Sequence, residues 1–144
     1  GMLQTCAELD VTFVPFSPLG RGIFALHTPD PARFKDGDFR KGTPRFTEPN
    51  FGYNVARVRA FKALANDLGS HPVTLAISWC LNRGPYLIPI PGTRSAEHLA
   101  DCAAASDFLM TPEIMARIET TLPVGWAHGD RYTTQQWIGP EGYC

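Results

Sequence analysis

Apolar positions along this chain follow two patterns: stretches with the 3.6-residue repeat of amphipathic helices, and two short continuous apolar runs that end in turn residues. Leu3, Cys6 and Ala7 share a face in a helix over 3–9 that stops at Asp10. Val55, Val58, Phe61, Leu64, Ala65 and Leu68 form one face of a longer helix, which either Asn50 or Asn54 can cap and which Gly69 ends. Pro72 suits the first turn of a helix over 73–82, closed by Gly84 and Pro85. Ser95 caps a helix over 96–105 with Leu99 and Ala103 turned inward. Thr111, Pro112 and Glu113 open a last helix with Ile114, Met115 and Ile118 as its buried stripe and Pro123 as its end.

The apolar runs are residues 11–16 and 87–90, whose β-branched and aromatic content predicts strands. Pro15 removes a ladder donor and so predicts an edge position or a strand end. Each run ends abruptly in Gly, Pro, Ser or Thr with a basic residue just beyond: TFVPFSPLGRG over 12–22 and YLIPIPGTR over 86–94. A buried parallel strand delivers a phosphate-contacting turn in this way. Two such ends joined by a helical crossover over 54–82, which the right-handed rule puts on one face of the sheet, suggest a cofactor shelf. Between them, residues 22–50 carry the turn-rich sequences TPDPARF and KDGDFRKGTPRF, a long loop of the kind that is functional or mobile. The tail over 124–144, rich in Gly, Trp and Tyr, has no period, and the chain has no internal repeat.

Composition narrows the function classes. A chain of 144 residues with 44% hydrophobic and 19% charged residues is expected to fold as one domain. Its net charge of -1 leaves no basic footprint for nucleic acid, and no apolar run is long enough to span a bilayer, so neither partner is expected. Gly1 reads as a remnant of expression, Met2 is followed by no basic-then-apolar leader, and a cytoplasmic location is the expectation. Cys6, Cys80, Cys102 and Cys144 lie far apart, with no CxxC pair and no histidine at ligand spacing, so neither zinc nor a disulfide is expected and Cys6 and Cys80 read as small hydrophobes.

The segments CAELDVTFVPFSPLGRGIF, SHPVTLAISWCLNRGPYLIPIPGTRSAEHLADCAAA and LMTPEIMARIE, in that order, resemble the C-terminal portion of the aldo-keto reductases, NADPH-dependent oxidoreductases built as (β/α)8 barrels. The resemblance implies an α/β fold made of the last two strands of that TIM barrel and their helices, with a partial barrel over 2–122 and a C-terminal tail over 123–144. It implies that Ser17, Leu19 and Gly20 lie under the pyrophosphate of NADP, mainly through the main chain. Gly92, Thr93 and Arg94 would hold the adenosine 2'-phosphate, with Arg94 making the charge-assisted contact. His98 stands where the family often has a basic residue for that phosphate. Asp101 and Cys102 stand where it commonly has Glu-Asn facing the adenine, so Cys102 takes away an amide. Asp10 replaces the usual glycine at a helix end, in a left-handed conformation that Asp tolerates less freely.

The resemblance also implies an absence: the family's catalytic Asp, Tyr, Lys and His come from earlier strands, and no tyrosine or histidine here matches those positions. The isolated chain is therefore expected to be inactive. Two strands of eight cannot close a barrel, so a homo-oligomer or a complementing chain is expected to cover them. Taken one at a time the features have plainer readings: SPLGRG is an ordinary turn, Arg94 a solvated charge, His98 a solvated helix residue, and the tail aromatics Trp126, Tyr132 and Trp137 a pocket rim or a partner contact. Three functions remain in view: a piece of an NADPH-dependent carbonyl reductase, a partner-completed dinucleotide-binding module, and an interaction protein whose cofactor shelf is vacant.

Overall fold

The computed structural model describes residues 1–138. Tyr143 and Cys144 lie outside the described residues. Among the described residues five α-helices carry the architecture: α1 (Met2–Glu8), α2 (Asn50–Asp67), α3 (Pro72–Leu81), α4 (Ala96–Ala103) and α5 (Pro112–Thr121). None of them is long and apolar enough to cross a membrane.

α3 is buried on nearly every side, from Pro72 through Ser78 and again at Cys80. A helix apolar all round belongs at the centre of a packed structure. Leu75 and Ala76 meet Phe61, Leu64 and Ala65 of α2 and Ile118 of α5, while Val73 and Ile77 meet Cys102 and Ala105 at the end of α4. Its two inward hydroxyls are satisfied across the same seam: Thr74 Oγ1 donates to the Asp101 carbonyl and Ser78 Oγ to that of Ala105, each at 2.8 Å.

The helix ends are where local chemistry predicts them. Ser95 Oγ accepts from the His98 N–H, and Thr111 Oγ1 from that of Ile114, both at 3.2 Å. Gly69 takes a left-handed φ of 62°, and the Ser70 N–H closes the last turn on the Ala65 carbonyl. Asp10 ends α1 with a φ of 53°. Two expectations need correction. α4 turns Cys102 inward, followed by Ala105, whereas Leu99 is 56% exposed and Ala103 lies on the surface. α2 begins at Asn50, and neither Asn50 nor Asn54 caps it.

Asn54 instead ties three segments together. Almost completely buried, it donates through Nδ2 to the carbonyls of Arg45 and His128 and accepts the His128 N–H on Oδ1 at 2.7 Å. Arg45 Nε donates to the Gly129 carbonyl beside it. The region over 22–50 is thus docked on α2 and the tail, and it holds short 3-10 turns at Pro31–Arg33 and Pro44–Phe46. Ile23, Phe46 and Val58 form its core, with Phe24 and Trp126 packed against them.

The two predicted strands are present only as two isolated parallel bridges, Phe13 with Leu87 and Phe16 with Ile90. Phe13 donates to the Tyr86 carbonyl and accepts from Ile88, and the Pro15 carbonyl accepts from Ile90. The next rung needs an N–H at Pro15, which has none. The ladder is interrupted there and resumes only at the Phe16–Ile90 bridge, and among the described residues no third segment pairs with either run. Along both runs exposure alternates: Val14, Phe16, Ile88 and Ile90 are 48 to 58% exposed, while Phe13, Pro15, Leu87 and Pro89 are half-buried.

Replacing Asn54 by Ala removes the partner of the His128 N–H and of two carbonyls at once. The expected loss is about 2–3 kcal/mol of stability in urea unfolding. Faster amide exchange around His128 should accompany it; an unchanged midpoint would show that the tail is not held by this side chain.

Candidate functional site

Parallel pairing decides where the two turns lie. Because Phe16 is bridged to Ile90 with both chains running the same way, Ser17 and Pro91 leave the pair at the same end. The turn over 17–22 and the segment over 91–95 therefore share one edge of the molecule.

The first turn is tightly wound. Ser17, Gly20 and Arg21 have φ of 51°, 55° and 59°, left-handed conformations that only glycine adopts freely. The N–H groups of Gly20, Gly22 and Ile23 are used internally, on the carbonyls of Ser17, Leu19 and Gly20. Those of Leu19 and Arg21 have no main-chain acceptor among the described residues. Leu19 packs its side chain against both faces of the α3 core, which pins the turn to the scaffold. Ser17 is exposed and Gly20 half-buried, where an added Cβ would meet Ile23 Cγ2 at 3.0 Å.

The second segment is open. Gly92, Thr93, Arg94 and His98 are all exposed, and Arg94 makes no ion pair within the described residues. The Thr93 hydroxyl donates to the Ser95 carbonyl, so the chain is shaped as it enters α4. With the capped N-terminus of α4 adjoining, this segment offers a flexible cation and a helix dipole to an anion.

The last two candidate residues face the other way. Asp101 gives its carbonyl to Thr74 and sets its carboxylate 3.8 Å from His71 Nδ1. That nitrogen accepts the Val73 N–H as the cap of α3, and a nitrogen that accepts there holds no proton for Asp101. Cys102 is buried against Val73 and Ile77, and burial, then the neighbouring Asp101 charge, pushes its thiol up. Leu19 and Cys102 therefore serve the core through their side chains, and of the predicted set Ser17, Gly92, Thr93, Arg94 and His98 are the surface residues. No group of three or more His, Cys, Asp or Glu side chains among the described residues could hold a metal.

Beside the first turn is a cavity of about 310 Å³, reached by Ser17, Gly20 and Arg21 on one side and by Arg45, Trp126 and Arg131 on the other. Sequence reasoning did not find Arg45 and Arg131 as members of a site. Arg21 and Arg131 are 110 positions apart, and no local pattern joins them.

These observations define a class: a helical fragment in which two parallel segments, joined by isolated bridges, present two turns at one end. The sequence profile of the Aldo/keto reductase family matches residues 1–122, and the chain belongs to that family. It is 32% identical over 130 residues to Aldo-keto reductase str7 of Strobilurus tenacellus, covering 90% of this chain and 39% of that protein. It is 30% identical over 132 residues to Aldo-keto reductase yakc of Schizosaccharomyces pombe, whose name carries NADP(+), covering 92% and 39%. The solved structure of the glycerol dehydrogenase AKR11B4 from Gluconobacter oxydans, a TIM-barrel protein, superposes with a TM-score of 0.72 at 23% identity, over 81% of this chain and 36% of that one. The chain thus spans 39% of the length of these curated relatives.

Burial also sorts the cysteines. The Cys80 thiol is pushed up to about 11 by desolvation, so almost none of it is thiolate at pH 8. At that pH a maleimide should leave Cys80 and Cys102 unmodified in the folded chain, label the half-buried Cys6 faster, and reach all of them in denaturant. Rapid native labelling of Cys80, read by peptide mass, would contradict the packing of α3.

Proposed function

We propose that this chain carries the nucleotide-binding part of an NADP-dependent carbonyl reductase. The observation behind the proposal is the shared end of the parallel pair, where a strained, glycine-bearing turn and an exposed Thr-Arg segment stand side by side. Ser17, Leu19 and Gly20 would take the pyrophosphate, Leu19 through its main-chain N–H. Gly92, Thr93 and Arg94 would take the 2'-phosphate, with His98 one helical turn beyond. The residues fit such a group: N–H donors without a main-chain acceptor on one turn, and a cation without an ion pair on the other. When bound, NADPH supplies the hydride for carbonyl reduction; these residues bind and orient it.

The proton-donating machinery lies, on this reading, in barrel strands that this chain does not contain, and the chain alone turns nothing over. Its partner is a second copy or a complementing chain that covers the apolar row of Val14, Phe16, Ile88 and Ile90. That row is the observation that also favours a non-catalytic, partner-completed binding module.

Calorimetric titration of the full chain tests the nucleotide reading. NADP should bind more tightly than NAD, and Arg94→Ala should shrink that preference about tenfold, the worth of one charge-assisted contact. No heat at millimolar NADP, or a preference unmoved by Arg94→Ala, would refute it. Sedimentation equilibrium tests the partner reading separately: the pure chain should self-associate, and replacing Phe16 and Ile90 by Ser should shift it towards monomer. A wild-type chain that stays monomeric at all concentrations would exclude the homo-oligomer.

A further inference from the structure

Arg21, Arg45 and Arg131 all line the cavity beside the first turn, and none has a carboxylate within 4.0 Å among the described residues. The contrast with Arg40 is direct. That guanidinium, nearby on the same loop, is paired with Asp38 at 2.7 Å, and the pairing holds the Asp38 carboxyl down at about 2.

Two of the three cations, Arg21 and Arg45, are nonetheless held in place. The Arg21 guanidinium lies against the rings of both Phe39 and Tyr132, 4.8 and 4.9 Å from their centroids, and donates to the Arg131 carbonyl. Arg45 is fixed by its bond to the Gly129 carbonyl. Burial lowers the affinity of Arg45 for its proton, and the charges of Arg131 and Arg21 lower it further against a smaller pull from Asp130. Two ordered cations with a third beside them on the cavity wall, none in ion-pair contact with a carboxylate among the described residues, form a site suited to an anion. Much of the remaining wall is carbon: Phe13, Phe16, Phe24, Phe46 and Trp126.

A pyrophosphate gains nothing from such a wall. An organic acid gains from both parts, its carboxylate from the guanidiniums and its body from the aromatic side. We propose that this cavity binds a small organic carboxylate with an aromatic or aliphatic body, separately from the dinucleotide. The placement beside the dinucleotide, and hence on the substrate side, rests on the reading given above for Ser17 and Gly20.

The probes are 3-phenylpropanoate, its neutral analogue 3-phenylpropanol, and inorganic pyrophosphate, titrated calorimetrically into the full chain. The acid should bind, the alcohol should bind at least about tenfold more weakly, and Arg131→Gln should weaken the acid by a similar factor. The Arg131 side chain makes no hydrogen bond or ion pair within the described residues, so this substitution spares the scaffold; a circular dichroism melt verifies that, and Arg131→Lys should recover part of the affinity. Equal binding of acid and alcohol, no binding of the acid to folded protein at millimolar concentration, or Arg131→Gln leaving the acid unaffected would overturn the proposal. Pyrophosphate that displaces the acid and loses affinity equally on Arg131→Gln would overturn it too, by assigning the cations to phosphate. Loss of NADP binding with intact acid binding would remove only the dinucleotide reading, and the reverse only this one.

Discussion

The whole arrangement depends on burying α3 on every side. No other helix among the described residues has so little solvent contact; α2 and α4 pack directly on it, and α5 joins its cluster through Ile118 while resting mainly on α2. Fully burying a side chain such as Leu75 or Ile77 is worth about 1.5–3 kcal/mol, and the two buried hydroxyls contribute by fixing register against α4 instead of leaving orphaned donors. From this centre the order reaches the first turn through Leu19. Leu19 plugs both core clusters, and the turn on which it sits cannot drift without opening them.

The parallel pair is the weaker partner in this arrangement. It has three main-chain hydrogen bonds and a missing rung at Pro15, so it aligns the two turns without contributing much stability. Its exposed apolar row has the period of a strand and the composition of an interior. Both facts accord with a chain that spans 39% of its curated relatives and superposes on part of a barrel protein.

Local chemistry made much of the helical framework legible. Ser95, Thr111, Pro72 and Gly69 act within a few residues of themselves, and each does what its type and position imply. Other features failed where two roles compete for one residue type. An asparagine near a helix start is a cap or a tertiary clamp, and the partner that decides for Asn54, His128, lies 74 positions away. In α4, two turns long, either of two adjacent stripes could be the inward one, and the contact with α3 selects the stripe of Cys102. The strands were read from composition, which cannot count neighbours: without flanking segments and with Pro15 in the pair, apolar runs become bridges. The two turns at one end of the pair were legible because each is a contiguous motif. The arginine cavity was not, because its members come from three distant segments, each plain by itself.

Residue-resolved NMR of the full chain titrated with NADP tests the central claim most directly, since the claim is that one ligand spans both turns. The account predicts simultaneous amide shifts over 17–21 and over 92–98, saturating with a single binding constant. Shifts confined to one turn, or saturating at different NADP concentrations on the two, would contradict it.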